Sequence, residues 1–379
     1  MSWTQKPLAE VAELCLGKML DEKKNKGELM PYLANVNVRW GKFDLDGLRE
    51  MRFEPHELER YGLKSGDIVM CEGGEPGRCA IWKDEVPGMM IQKALHRIRP
   101  REELDHRFLY YQFLLKGRAD GLSGLFTGST IKHLPGQNLA KVEVSYPSRS
   151  EQERIAEVLS AYDDLIENNR RRIALLEQSA RLLYREWFVH LRFPGHEHVK
   201  MVDGVPEGWA RRALGGLATL NYGKALKADK RHPGPYPVYG SSGIVGSHRV
   251  GLSEGPGIIV GRKGNVGSVY WSPRGFFAID TVYFIDADTS NLYLHHALQN
   301  AQFISTDVAV PGLNRDFAYS RPLLWPTTLL LDEFLRAVTP IYQQIDKLTQ
   351  YAEKLRQARD LLLPRLMSGQ IQLSDTSYA

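Results

Sequence analysis

The stretch SEQERIAEVLSAYDDLIENNRRRIALLEQSARLLYREWF, Ser150–Phe188, decides how the rest of the chain is read. Ser150 with Glu153 three residues later is a capping-box signature, and no Gly or Pro interrupts the run to Phe188. Apolar residues at Ile155, Val158, Leu159, Tyr162, Leu165, Ile166, Ile173, Leu176, Leu183 and Trp187 keep the three-and-four spacing of one helical face. About 37 residues rising about 1.5 Å each make a helix on the order of 55 Å long, which needs a partner along its stripe. A second stretch supplies one. Thr339 is placed to cap, with Pro340 at the first helical position, and Ile341, Ile345, Leu348, Ala352, Leu355 and Leu362 come after it; Pro364 is expected to end or kink this helix. The simplest arrangement is an antiparallel coiled coil. Its seam would be Ile155, Leu159, Tyr162, Ile166, Ile173 and Leu176 against Ile341, Ile345, Leu348, Leu355 and Leu362.

The segment ahead of each helix is repeated. Trp3, Leu8, Val11, Ala12 and Leu14 correspond to Trp209, Leu214, Leu217, Ala218 and Leu220 at an offset of 209 − 3 = 206. GDIVMCEGGEPGRCAIW, ending at Trp82, resembles GIIVGRKGNVGSVYW, ending at Trp271, at 271 − 82 = 189. Tyr146-Pro147 matches Trp325-Pro326, and Ile166, Leu176, Gln178, Leu182 and Leu183 match Ile345, Leu355, Gln357, Leu361 and Leu362, all at 345 − 166 = 179. The runs Asp67–Cys71, Gly257–Val260, Val269–Trp271 and Thr281–Ile285 read as strands, while Leu104–Lys116 and Leu292–Phe303 read as short helices. The expected fold class is α+β: two mixed α/β modules, 1–149 and 191–330, separated by long helices within 150–190 and 331–379, with pseudo-twofold internal symmetry.

Composition narrows the function classes. With 43% hydrophobic and 25% charged residues, the 379-residue chain has the make-up of a folded globular protein and not of a fibrous or disordered one. No apolar run reaches the roughly 20 residues that span a bilayer, and MSWTQKPLAEV lacks a signal-peptide core, so a cytoplasmic protein without membrane contact is expected. Cys15, Cys71 and Cys79 are odd in number and lack C-x-x-C spacing, which suits reduced core thiols. The net charge of +4 is modest, but Trp209–Gly275 carries ten Lys or Arg against Asp229 and Glu254, with fourteen glycines. Basic, glycine-rich loops suit a phosphate backbone.

On these motifs the chain resembles the specificity subunits of type I restriction-modification enzymes over its whole length. GSTIKHLPGQNLAKVEVSYPSRSEQERIAEVL, Gly128–Leu159, is similar to the family's passage from the first target recognition domain into the central helix, and AVPGLNRDFAYSRPLLWP, Ala309–Pro326, to the same passage of the second. YPVYGSSGIVGSH followed by IIVGRKGNVGSVYW resembles a common type of that second domain. CEGGEPGRC departs most from the pattern. The resemblance implies two target recognition domains, each reading one half of a split site in double-stranded DNA, with the helices as spacer. It also implies docking of two modification (methyltransferase) subunits and, indirectly, of restriction/translocase subunits. S-adenosylmethionine and ATP/Mg would sit on those partners, leaving no cofactor, metal or catalytic centre on this chain. Two other classes compete: a coiled-coil adaptor with protein-binding modules, and an unrecognised nucleic-acid enzyme.

Candidate contacts come from chemistry. Arg262, Lys263, Gly264 and Asn265 place two cations on a glycine-hinged turn suited to phosphate. Ser129, Thr130 and Lys132 in the first copy and Asn314 and Arg315 in the second occupy equivalent loops before the helices. Arg forks to guanine and Asn or Gln to adenine, which makes Arg231, Gln92, Arg78, Asn221 and His248 candidates for base edges, with Tyr239, Ser241 and Ser242 on the same surface. The run Asn168–Arg172 suits solvent or a protein partner better than DNA. Gly261, Gly264 and Gly267 do not make the dinucleotide fingerprint, and no P-loop or Asn/Asp-Pro-Pro methyltransferase signature occurs. His196, Glu197 and His198 sit in a Pro-Gly linker and read as a domain boundary.

Overall fold

A computed structural model of the chain describes residues 3–21, 25–304 and 312–373; Ala309, Val310 and Pro311 of the quoted second passage lie outside them. Two compact units emerge: Met1–Glu167 with Glu353–Ala379, and Asn168–Ala352.

In the first unit the strands that recur in the second are β1 (Thr4–Pro7), β2 (Ala12–Leu16), β3 (Glu28–Leu33), β4 (Arg49–Phe53), β5 (Ile68–Cys71), β6 (Cys79–Ile81), β7 (Met90–Ile91), β8 (Leu95–Pro100) and β9 (Glu143–Tyr146), with a small hairpin of Val38–Arg39 and Lys42–Phe43 outside that set. They form a four-stranded sheet ordered β2-β8-β5-β6, a three-stranded sheet β4-β3-β7 and a pair β1-β9. Helices α1 (His106–Arg118) and α2 (Gly136–Leu139) complete it before α3 (Arg149–Tyr184) leaves. β5 reads Ile-Val-Met-Cys and is buried throughout, as a central strand covered on both faces must be. Its residues Ile68 and Met70 join Leu8, Val11, Ile98, Phe108, Phe113 and Leu139 in one core.

The second unit repeats that set. Its matching strands are β10 (Ala210–Ala213), β11 (Asn221–Tyr222), β12 (Tyr236–Gly240), β13 (Gly243–His248), β14 (Gly257–Gly261), β15 (Val269–Ser272), β16 (Phe277–Ala278), β17 (Val282–Ile285) and β18 (Pro322–Trp325), with a small hairpin of Met201–Val202 and Val205–Pro206 ahead of them. The sheets are β11-β17-β14-β15, β13-β12-β16 and β10-β18. The register repeats as well. Thr4 faces Tyr146 as Ala210 faces Trp325, and β3 meets β7 in parallel at Leu33 and Ile91 as β12 meets β16 at Tyr239 and Ala278. Helices α4 (Leu292–Gln299) and α5 (Arg315–Ser320) stand where α1 and α2 stood, ahead of α6 (Thr328–Met367). The strands and short helices read from the sequence are present within a few residues of their expected bounds.

Three expectations need correction. The turn between β5 and β6 matches that between β14 and β15 at an offset of 190, not 189: Cys71 N–H donates to Arg78 O and Gly77 N–H to Cys71 O, as Gly261 N–H donates to Ser268 O and Gly267 N–H to Gly261 O. Trp82 and Trp271 are therefore not equivalent, and their shared bulk misled the alignment by one residue. Second, α3 starts two residues earlier than a Ser150 cap requires, because the Ser148 carbonyl already accepts from Glu151 and Gln152 N–H at 3.0 Å, and Glu153 pairs with Arg149. Third, α6 does not start at Pro340 or stop at Pro364. Thr327 begins it, accepting from Leu331 N–H on its carbonyl and from Leu330 N–H on its hydroxyl. Ser148 and Thr327 are related by the same 327 − 148 = 179 as the helices themselves. A proline inside a helix costs about 3 kcal/mol. Both prolines lie on the exposed side, while Phe334, Val338, Leu363 and Leu366 beside them are buried, and that packing outweighs the lost hydrogen bonds.

The long helices run antiparallel within each unit. In the first, Ile155 and Leu159 of α3 share a core with Leu363, Leu366 and Met367 of α6. In the second, Tyr184 and Trp187 meet Phe334 at ring-centroid distances of 6.0 and 5.9 Å, and Phe188 meets it edge-on at 5.0 Å. Of the seam residues read from sequence, Ile155, Leu159, Ile166 and Leu348 are buried, and Tyr162, Ile173, Leu176, Ile341, Ile345, Leu355 and Leu362 are half-buried. Cys15, Cys71 and Cys79 are free, buried thiols. Among the described residues no helix is long and apolar enough to cross a membrane.

Candidate nucleic-acid interface

In the second unit two tight turns are tied together. Arg262 and Lys263 leave β14 with both backbone N–H groups donating to Thr281 O, at 2.9 and 3.0 Å. Gly264 then takes φ +78, and a Cβ there would lie 3.1 Å from Ser241 Oγ, so a residue without a side chain is needed for this approach. Asn265 Nδ2 donates to Ser242 Oγ at 3.2 Å, while Ser268 Oγ and Tyr270 Oη donate to Ser241 O at 2.7 and 3.1 Å. Lys263, Gly264, Asn265 and Ser242 are thereby exposed on one ridge; Ser241 is buried beneath it and Tyr239 lies in the core.

Beside this ridge lies a cationic cluster. The guanidinium carbons of Arg262 and Arg315 stand 5.1 and 5.0 Å from the centroid of one ring, Tyr222, which is 49% exposed. Arg262 also donates to Asp280 O at 3.0 Å. Asn314 caps α5, accepting from Asp316 and Phe317 N–H, and so fixes where Arg315 begins. Tyr222 itself escaped the sequence reading. It sits next to Asn221, whose side chain carries the more obvious base-reading chemistry, and the usable signal is an aromatic residue in a strand register beside a basic turn.

Four other candidates, Arg231, His248, Arg78 and Gln92, make hydrogen bonds within their own unit. Arg231 donates to Val245 O at 2.8 Å and Leu226 O at 3.3 Å, bracing its own loop. His248 Nδ1 accepts from His232 N–H at 3.1 Å. In the first unit Arg78 pairs with Glu75 and donates to Asn35 O at 2.9 Å, and Gln92 Oε1 accepts from Ala94 N–H at 3.1 Å. Ser129, Thr130 and Lys132 are exposed on a hairpin tip closed by reciprocal bonds between Thr127 and His133. His196, Glu197 and His198 pair with one another in a single exposed turn.

The two turns sit on identical backbone supports. Leu134 N–H donates to Glu72 O at 2.7 Å and Leu313 N–H to Arg262 O at 2.8 Å; Glu72 N–H donates to Ala94 O where Arg262 N–H donates to Thr281 O. The frame is constant and the side chains on it are not.

Comparisons with known proteins agree with this arrangement. Residues 1–178 match the profile of the type I restriction modification DNA specificity domain. The chain is 25% identical to the type I restriction enzyme MjaIX specificity subunit of Methanocaldococcus jannaschii, over 98% of this chain and 94% of that protein. It is 27% identical to the MjaVIII specificity subunit of the same organism, over 47% of this chain and 43% of that one. In fold it is similar to the crystal structure of a type I restriction-modification S subunit from M. genitalium, with a TM-score of 0.58 at 19% identity, covering 97% of this chain and 96% of that one.

Proposed function

We propose, from the premise that the chain belongs to the type I restriction-modification specificity subunits, that each unit reads one half of a bipartite site in double-stranded DNA. The long helices set the gap between the halves and dock two modification subunits, through which restriction/translocase subunits are recruited. The chain acts as reader and scaffold. Methyl transfer, with S-adenosylmethionine, and ATP-driven translocation belong to those partners.

The observation that carries this reading is the repeat itself: the same sheets, in the same register, support two turns whose backbones match and whose side chains differ. A reader of two unlike half-sites needs that combination, because the frame fixes position on the duplex while the side chains specify bases. In the second unit Lys263, Asn265, Ser242, Arg262 and Arg315 contact the duplex; in the first, Ser129, Thr130 and Lys132 do. The test is reconstitution of the full chain with its modification subunits on host DNA. Methylation of specific duplexes by the complex, and none by either component alone, is expected. A modified or cleaved product formed by this chain by itself would overturn the assignment of catalysis to the partners. A complex that methylates and protects no DNA would overturn the reader.

A further inference from the structure

Two guanidinium groups share the ring of Tyr222, and among the described residues neither has a carboxylate partner. The side chain of Arg315 makes no hydrogen bond there either, and that of Arg262 makes one, to a carbonyl. Like charges placed against one ring repel unless something stabilises both. The ring face offsets part of that repulsion through its quadrupole. Tyr222 is itself held: it pairs with Tyr283 across β11 and β17, with ring centroids 5.1 Å apart, and Tyr283 Oη donates to Leu313 O at 3.0 Å. Arg262 and Arg315 also lie 5.7 and 5.9 Å from the rings of Tyr283 and Tyr319. Three tyrosines therefore position two cations whose remaining N–H groups have no acceptor among the described residues of the unit.

The first unit has no counterpart among its described residues. Equivalent hydrogen bonds place Glu72 where Arg262 stands, and the pairing of Leu16 with His96 corresponds to that of Tyr222 with Tyr283. Counting two residues on from Leu134 and Leu313 puts Gly136 where Arg315 stands. Glu72 lies 3.1 Å from His133, a local ion pair when that histidine is protonated.

We infer that Arg262 and Arg315, stacked on Tyr222, form a clamp for a DNA backbone phosphate that the second unit possesses and the first lacks. Arg forks suit a phosphate diester, whose oxygens would accept the N–H groups the two side chains leave over. This rests on the reading of the chain as a DNA-binding subunit, and its test separates the two claims.

The full chain, assembled with its modification subunits, is titrated with a short mixed-sequence duplex over a range of KCl concentrations. Arg262→Gln and Arg315→Gln together are expected to flatten the slope of log K against log salt by about 0.9, the contribution of the one phosphate they share, and each alone by part of that. Arg315→Lys, which keeps the charge, retains the parent slope, and Tyr222→Phe, which keeps the ring, does the same; these two variants show that loss of charge and not loss of fold is being read. Parent-like slopes for both glutamine variants on a duplex that still binds would overturn the clamp and leave the reader standing. Variants that bind duplex as the parent does but no longer assemble with modification subunits would assign the pair to a protein carboxylate instead, and overturn the clamp. A parent complex that binds no duplex would remove the underlying reading.

Discussion

Gly74 and Gly264 occupy the same place in two copies of one turn, with φ of +81 and +78. Each faces a polar side chain from the neighbouring turn: a Cβ would lie 2.5 Å from Asn35 Nδ2 at Gly74 and 3.1 Å from Ser241 Oγ at Gly264. The common backbone requirement survives although Glu72 and Glu75 flank one glycine and Arg262, Lys263 and Asn265 the other.

Replacing either glycine with alanine forces a left-handed conformation on a residue that avoids it, at about 1–2 kcal/mol. Gly74→Ala is expected to cost more than Gly264→Ala, because its Cβ contact is shorter. Urea unfolding of each variant measures this; equal stability to the parent would deny the strain.

In the first unit Asp163 of α3 accepts from Tyr111 Oη at 2.8 Å and pairs with Arg359 of α6, which is only 8% exposed; Arg359 also reaches Asp360, which pairs with Arg118. Asp163→Asn leaves Arg359 without one of its two anions. The cost is put at about 2 kcal/mol, below the roughly 3–5 typical of a buried pair because Asp163 is partly exposed. Tyr111→Phe should cost about 1 kcal/mol, and the double variant less than the sum. Additivity would show that the three groups do not act as one network.

His295 and His296 on α4 are buried beside Tyr342, Gln299 and Arg181. Burial pushes His296 down to about 4 and His295 well below its ordinary range, with Arg181 acting in the same direction. Both are neutral when folded and take up protons on unfolding, so their contribution is complete above about pH 6.5. As pH falls from there toward about 4, stability should drop by up to about 1.4 kcal/mol per pH unit for each histidine. Denaturation midpoints across the range from neutral to mildly acidic pH check the sign; a flat profile there would contradict it.

Adding one heptad to each long helix lengthens both by about 10 Å, the rise of about three base pairs. The gap between half-sites methylated by the reconstituted complex should grow by that amount, and an unchanged gap would deny the helices their spacing role.

The helices and the repeat were legible because they rest on periodicity and order. Spacing at three and four is hard to reach by chance over Ser150–Trp187, and matched offsets need only residue type. The helix starts were misread for a local reason: Ser150 and Thr339 carry side chains that often cap, whereas Ser148 and Thr327 accept the first helical bonds. Site residues were legible as loops and not as roles. Lys263 and Asn265 fall on the exposed ridge, but Arg231 and Arg78 each commit part of their guanidinium to nearby carbonyls, and only three dimensions show which cation has an acceptor in reach. Tyr222 was missed because its place beside Arg262 and Arg315 depends on strand pairing between residues far apart in the chain.

The most direct test of two like units reading two halves is a map of methylated adenines across the host genome. It is made first with the parent chain and then with Ser242→Ala and Asn265→Ala combined. A two-part word with a fixed gap is expected from the parent, and the double variant should relax one part while the other part and the gap stay as they were. One uninterrupted word, or both parts shifting together, would contradict the account.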